Sequence, residues 1–273
     1  MFLCLNSEWQ GSGVPELGHG ARKLARDLFG SRPHLDLGPS DYQSLESRDG
    51  VYALDSVVDR FGIALRELER VGPERIVTVG GTCASEAAPV AYLACRNSGF
   101  GVVWLDAHGD INTPATSPSG HFHGMVLRTL LGEGPTGLTD RIRCPLEPAR
   151  VVVVGARDLD APEREYADSS GLVLIENWPP DIIARIVEPL RSAGVTRLYV
   201  HVDVDVFDPE DYGDALFSVP GGPSLCEAAQ VVCDLVDAFD VIGVGVVESC
   251  GREPEARRKL VAFMNGSGLL PAV

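Results

Sequence analysis

The sequence has no Cys-x-x-Cys pair, no basic stretch at its start, and no apolar run approaching the roughly 20 residues that a membrane span requires. Its opening, MFLCLNSEWQ, carries only four apolar residues after Met1, too few for the apolar core of a secretory leader. Repeats, low-complexity tracts and linkers are also missing. Basic residues are scarce, 23 against 39 acidic ones, for a net charge of −16. That balance argues against nucleic acid or an anionic membrane as the main partner, suits a soluble enzyme and mildly favours cationic small substrates. The seven cysteines (Cys4, Cys83, Cys95, Cys144, Cys226, Cys233 and Cys250) are odd in number and irregularly spaced. They read as mostly inert, buried thiols in a reducing compartment, the cytoplasm.

What is present is a long chain with a large core. Of 273 residues 45% are hydrophobic, enough for one α/β domain over 1–273. Short β-branched runs alternate with helical patterns. Strands are expected at Ile76–Val79, Val102–Leu105, Val151–Val154, Leu172–Ile175, Leu198–Val202 and Val241–Val247. Helices are expected at Ser56–Val71, Ala84–Arg96, Ile182–Ser192, Leu225–Ala238 and Glu255–Asn265. Near-continuous apolar strands separated by helices indicate a parallel sheet covered on both faces. The Pro/Gly/Ser-rich segments 112–121 and 209–223 read as long functional loops. Gly80, Asp106, Asp203 and Glu248 each follow a strand-like run, so they should converge on one sheet edge, where open α/β sheets collect ligands.

Two of these strand ends are rich in metal-binding residue types. Asp106, His108 and Asp110 stand at alternate positions, which in extended chain face the same side. Taken alone, the triplet could be a solvated polar turn. The segment His201-Val202-Asp203-Val204-Asp205-Val206-Phe207-Asp208 adds three acids to a run of valines, more than a solvated edge strand explains. Two carboxylate clusters are costly to hold together without cations. Two divalent ions about 3.5–4 Å apart, sharing carboxylates, would offset that cost, acidify a water and clamp a transition state. Oxygen-rich ligands with few imidazoles suit Mn²⁺.

Five ordered motifs now complete the pattern: GGTCAS at 80–85, WLDAHGDINTP at 104–114, SGHFHGM at 119–125, HVDVDVFDP at 201–209 and VVESCGREP at 246–254. In them the chain resembles the ureohydrolases, the family of arginases and agmatinases. The resemblance implies a three-layer α/β/α sandwich with a mainly parallel eight-stranded sheet. It also implies a manganese-dependent amidinohydrolase acting on a small guanidino compound, and a homo-oligomer, trimer or hexamer. Residue by residue, it implies Asp106 and Asp203 as bridging ligands, Asp110 on the first metal, and His108 and Asp205 on the second. His123 matches the proton-shuttling histidine; a lone histidine is more often structural, but this motif reverses those odds. Glu248 matches the partner of the substrate guanidinium, a planar group suited to a carboxylate.

One position departs from the family. Its Gly-Gly-Asp-His segment reads Gly80-Gly81-Thr82-Cys83 here. Cys83 is either a soft, weak ligand poorly matched to Mn²⁺ or a buried small residue that does not ligate. A less strongly activated water would still serve an easier substrate, such as an N-hydroxylated guanidine. The loop Ile111-Asn112-Thr113-Pro114, followed by Ser119, resembles that of arginases rather than agmatinases. By that resemblance Asn112, Ser117 and Ser119 hold a substrate α-carboxylate. Asp160 receives the α-amino group, or else simply caps the helix opening at Ala161-Pro162. Phe217-Ser218-Val219-Pro220 departs from the family's usual segment near the pocket. The competing readings are a plain arginase or guanidino-acid hydrolase, and a catalytically silent subunit that binds an amino acid or a partner.

Overall fold

The structure, a computed structural model, describes residues 1–38 and 44–268. Its centre is a sheet of strands β1 (Phe2–Asn6), β2 (Leu35–Asp36), β3 (Ile76–Gly80), β4 (Phe100–Leu105), β5 (Val151–Val154), β6 (Val173–Ile175), β7 (Arg197–Asp203) and β8 (Asp240–Val247). They lie in the order β2-β1-β3-β8-β7-β4-β5-β6, and every pairing is parallel. The helices are α1 (Pro15–Phe29), α2 (Leu54–Val71), α3 (Ala87–Arg96), α4 (Val126–Leu130), α5 (Thr136–Thr139), α6 (Ala161–Ser170), α7 (Ile182–Ser192), α8 (Leu225–Ala238) and α9 (Pro254–Gly266).

Strand alternation splits the apolar residues into two cores. Along β5, Val152 and Val154 face a core completed by α1, α7, α8 and α9, through residues such as Leu24, Ile186, Val231 and Phe263. Val151 and Val153 face the opposite core, built with α2, α3 and α4 through Phe61, Leu93 and Leu127. A strand buried on both faces has no polar side to show, which is why four consecutive valines stand there. The result is the expected three-layer sandwich, with a sheet parallel throughout.

Several expected elements have the expected bounds. Helices α7 and α8 coincide with Ile182–Ser192 and Leu225–Ala238. The stretch Ala84–Arg96 divides into a 3-10 turn, Cys83–Glu86, followed by α3. Strand β1 and helix α1 had no counterpart in the sequence reading. The helical signal of α1 is blunted by Gly18 and Gly20, yet both serve packing. A Cβ on Gly18 would lie 2.8 Å from the Ser7 carbonyl oxygen, and one on Gly20 would lie 1.9 Å from that of Ser249.

The cysteines are not all the inert, buried thiols expected. Cys95 and Cys144 form a disulfide, with an S–S distance of 2.33 Å and a Cα–Cα distance of 5.2 Å. Among the free thiols Cys4, Cys83 and Cys250 are buried, but Cys226 is exposed and Cys233 half-buried. The pairing joins the last turn of α3 to the loop after α5, so it depends on tertiary proximity that no local spacing announces. Among the described residues, no helix is long and apolar enough to cross a membrane.

Candidate active site

Four neighbouring strands, β3, β8, β7 and β4, end at the same edge. Each delivers a polar residue from a sheet otherwise filled with valine. At the end of β3, Gly81 passes so close to the backbone of Glu8 that a Cβ would lie 1.8 Å from its carbonyl oxygen. A capping box between Thr82 and Ser85 then turns the chain into the 3-10 turn that carries Cys83. The buried Cys83 thiol donates to Asp203 Oδ2 at 3.1 Å and to Glu248 Oε1 at 3.7 Å. Burial pushes this thiol well up, and the surrounding carboxylates, Asp110 first, push it further.

At the end of β4, Asp106 accepts from Trp104 Nε1 at 3.1 Å and from the His108 amide at 2.7 Å. His108 Nδ1 lies 3.0 Å from Asp205 Oδ2, and the Ala107 amide donates to Asp205 Oδ1 at 3.1 Å. At the end of β7 the Asp205 amide donates to Asp203 Oδ1 at 2.9 Å, within another 3-10 turn. Burial lowers the His108 imidazole, but Asp106 and Asp205 outweigh it and hold the group up to about 12. Burial, followed by Asp106, raises Asp205 to about 6. Asp110 and Asp203 are likewise raised, by burial and then by Asp106 and Asp205 respectively.

Two of the four non-glycine residues with positive φ among the described residues belong to this centre: Asp110 at 55° and Glu248 at 64°. Left-handed backbone at such residues is held only where the surroundings over-determine it, and it clusters at functional sites. Asp110 Oδ2 and Glu248 Oε2 are both buried without a hydrogen-bond partner. Such orphans inside a crowd of acids are what a cation would complete.

The donor atoms group accordingly. Asp106, His108 and Asp205 present atoms within 4.8 Å of one another, and so do Cys83, Asp106, Asp110 and His201, and Cys83, Asp203 and Glu248. The residues present therefore fit two cations sharing Asp106 between them. Every ligand expected from the sequence is brought together here, and Cys83 points into the cluster.

Above it lies a cavity of about 240 Å³, lined among others by His108, Asp110, His123, Phe217 and Glu248. His123 Nδ1 sits 3.3 Å from Glu248 Oε1. Burial lowers its imidazole, but Glu248 reverses this and the group ends raised. The cavity's outer wall contains Asn112, Ser117, Ser119 and Asp160. Asn112 Nδ2 donates to Asp160 Oδ2 at 2.9 Å, while Thr116 Oγ1 donates to Asn112 Oδ1 at 2.8 Å. Ser117 Oγ and Ser119 Oγ are 3.4 Å apart. Asp160 also opens α6, its amide donating to Glu163 Oε2 at 3.0 Å. Cap and cavity wall are thus one residue, and the two sequence readings of Asp160 are compatible.

Residues that sequence reasoning left without a role complete the centre. Glu163 accepts from the Ile111 amide at 3.1 Å and ties the β4 loop to α6. His201 was visible within the HVDVDVFDP motif, two residues before Asp203 and so on the same strand face. Its Nδ1 meets the buried Glu86 Oε2 at 2.8 Å. Gly245 on β8 makes room for that carboxylate, since a Cβ there would lie 1.5 Å from Glu86 Oε1.

A parallel three-layer sandwich with a buried carboxylate–imidazole centre at the carboxyl ends of its middle strands is an α/β protein built to hold cations beside a small-molecule cavity. The chain belongs to the arginase family, hydrolases acting on guanidino groups, whose model matches residues 28–252. It is 33% identical over 252 residues to an arginase of Brevibacillus brevis, covering 88% of this chain and 81% of the relative. It is 32% identical over 179 residues to an N(omega)-hydroxy-L-arginine amidinohydrolase of Streptomyces lavendulae, covering 65% and 61% respectively. The crystal structure of Entamoeba histolytica arginase shares the fold, with a TM-score of 0.85 at 21% identity over 97% of both chains.

Proposed function

We propose that this chain is a manganese-dependent amidinohydrolase of an arginine-type amino acid. Its preferred substrate in this reading is Nω-hydroxy-L-arginine, cleaved with one water to L-ornithine and hydroxyurea. The observation that carries the reading is the pair of donor clusters meeting at Asp106 beneath a cavity walled by Glu248 and His123. Asp106 and Asp203 would be shared between two ions, Asp110 would complete the first with Cys83 as a weak ligand at most, and His108 and Asp205 the second. When bound, the pair of ions would acidify a water and stabilise charge developing on the guanidino group.

The chain's own residues do the rest. Glu248 lines the cavity, its Oε1 accepting from the Cys83 amide at 3.3 Å, and its carboxylate would take a substrate guanidinium N–H. Asp110 orients the attacking water or takes its proton. His123, held through Nδ1, passes a proton to the departing δ-amine. Asn112, Ser117 and Ser119 receive the α-carboxylate and Asp160 the α-amino group. Thr116 Oγ1, donating to Asn112 Oδ1, fixes the amide for this work.

The hydroxylated substrate is favoured by Cys83, a thiol where the family has an imidazole, and by the likeness to the Streptomyces lavendulae enzyme. An arginine-type loop together with this cysteine resembles the hydroxyarginine amidinohydrolase of D-cycloserine biosynthesis, so a cytoplasmic homo-oligomer serving antibiotic assembly accompanies the reading. A plain arginase giving urea is the second reading, supported by the likeness to the Brevibacillus brevis enzyme. The test is ornithine release from L-arginine and from its Nω-hydroxy form with added Mn²⁺. A higher kcat/KM for the hydroxylated substrate supports the proposal, a higher value for arginine selects the second reading, and no release from either defeats both.

A further inference from the structure

The Cys83 half of the centre contains an imidazole, His201, that has no part in the proposed reaction. His201 is fully buried on β7 and lies flat on Trp104, with ring centroids 3.5 Å apart and planes within 7°. Its Nδ1 faces the equally buried Glu86 at 2.8 Å. With Glu86 accepting the Nδ1–H, Nε2 is the nitrogen whose lone pair a cation would take. That nitrogen has no hydrogen-bond partner, and the nearest carboxylate oxygen, Asp106 Oδ2, is 3.8 Å away. Nε2 nevertheless shares one small volume with the Cys83 thiol and with carboxylate oxygens of Asp106 and Asp110, all within 4.8 Å of one another.

Several features exist to hold the ring in that pose. Trp104 sets its plane, Glu86 sets its tautomer and rotation, and Gly245 vacates the space Glu86 occupies. A histidine whose far nitrogen donates to a carboxylate while the near one points into a nest of acids has the arrangement of a metal-bound imidazole with its supporting partner. A purely structural histidine would bury Nε2 unpaired and bear the full desolvation penalty of that group.

We propose that His201 is the imidazole ligand of the cation on the Cys83 side. It supplies from β7 the nitrogen that position 83 does not supply from the end of β3. That ion would then have one nitrogen and one sulfur beside the carboxylates of Asp106, Asp110 and Asp203. Such a set takes a borderline divalent ion, Zn²⁺ or Co²⁺, in preference to Mn²⁺. The inference rests on the two-cation reading of the centre; it adds His201 as a ligand, makes Cys83 a full one and changes the identity of one ion within it.

The test is metal binding rather than turnover. The full chain, freed of metal by chelation, is titrated with Co²⁺ while the electronic spectrum and the calorimetric stoichiometry are read. Two Co²⁺ per chain are expected, one of them with a thiolate-to-cobalt charge-transfer band. His201→Asn should weaken that site by at least about tenfold and leave the other unchanged. A merely structural histidine would lower the melting temperature with both affinities intact, and that result overturns the proposal. So does Mn²⁺ competing on equal terms with Co²⁺ at the thiolate-bearing site. Wild-type protein that binds no Co²⁺ or Mn²⁺ would sink the two-cation reading itself, and this inference with it. X-ray absorption on the wild-type Co²⁺ protein needs no folded variant. Two imidazoles across the pair of ions support the assignment, and one alone refutes it.

Discussion

The two halves of the centre are built differently. On the His108 side the polar groups are tied to one another: His108 to Asp205 at 3.0 Å, its amide to Asp106 at 2.7 Å, and the Ala107 amide to Asp205 at 3.1 Å. On the Cys83 side Asp110 Oδ2, Glu248 Oε2 and His201 Nε2 have no partner, and Asp110 and Glu248 stand on left-handed backbone. The first half is organised by its own hydrogen bonds. The second stores unsatisfied groups and backbone strain at the cavity floor, where a cation and a substrate are to be received. Order held in advance and demand left open are divided between neighbouring strand ends.

Removing the residue common to both halves should do most damage. Asp106→Asn should lower kcat/KM on the hydroxylated substrate by a thousandfold or more, the scale of losing several kcal/mol of charge stabilisation. A loss under about tenfold would show that the halves do not depend on a shared carboxylate. His123→Asn should cost on the order of a hundredfold or more in kcat, with bound metal unchanged by elemental analysis. Glu248→Gln keeps the size of the side chain but removes its charge. It should reduce kcat/KM by about tenfold to a hundredfold, the worth of a charged hydrogen bond. It should also bring down the alkaline limb of the pH–rate profile, because Glu248 is the group holding the His123 imidazole up. An unmoved limb would separate the two residues.

Cys83→His tests whether the less organised half sets substrate choice. The ratio of arginine to hydroxyarginine kcat/KM should rise by about tenfold, the size of effect that altered metal surroundings produce. An unchanged ratio places specificity elsewhere. The smallest effect concerns stability. Burial raises the Glu163 carboxyl from its ordinary range to about 7. Between about 4.5 and about 7 the folded metal-free protein therefore keeps a proton that the unfolded chain has released. Stability supplied by this group is complete below that window and is lost as pH rises through it. Thermal melts should show a decline over the window, and Glu163→Gln should flatten it. A slope identical to wild type would remove Glu163 as its source.

What could be read in the sequence was what local pattern encodes. Runs of valine announced strands buried on both faces, and acids interrupting those runs announced the cluster, since nothing else explains carboxylates at Asp203 and Asp205. The disulfide between Cys95 and Cys144 was illegible because its partners are 49 residues apart and meet only through packing. Helix α1 was hidden by glycines chosen for close approach rather than for helix formation. His201 stood in plain sight within a quoted motif, but its meaning depends on Glu86, 115 residues away in sequence. A histidine is readable as a candidate ligand only when what orients it is known.

The space at Gly245 has a consequence for how this sequence can change. A side chain on β8 at that point and a carboxylate at position 86 exclude each other, since the two would occupy the same volume. Substitution at the three positions is therefore ordered. The glycine has to stand before the glutamate is admitted, and the glutamate before the histidine is held in its tautomer. Going back one residue at a time crosses intermediates with a clash or with an unsupported ring. Grafting this centre onto a relative would therefore mean moving positions 86, 201 and 245 together.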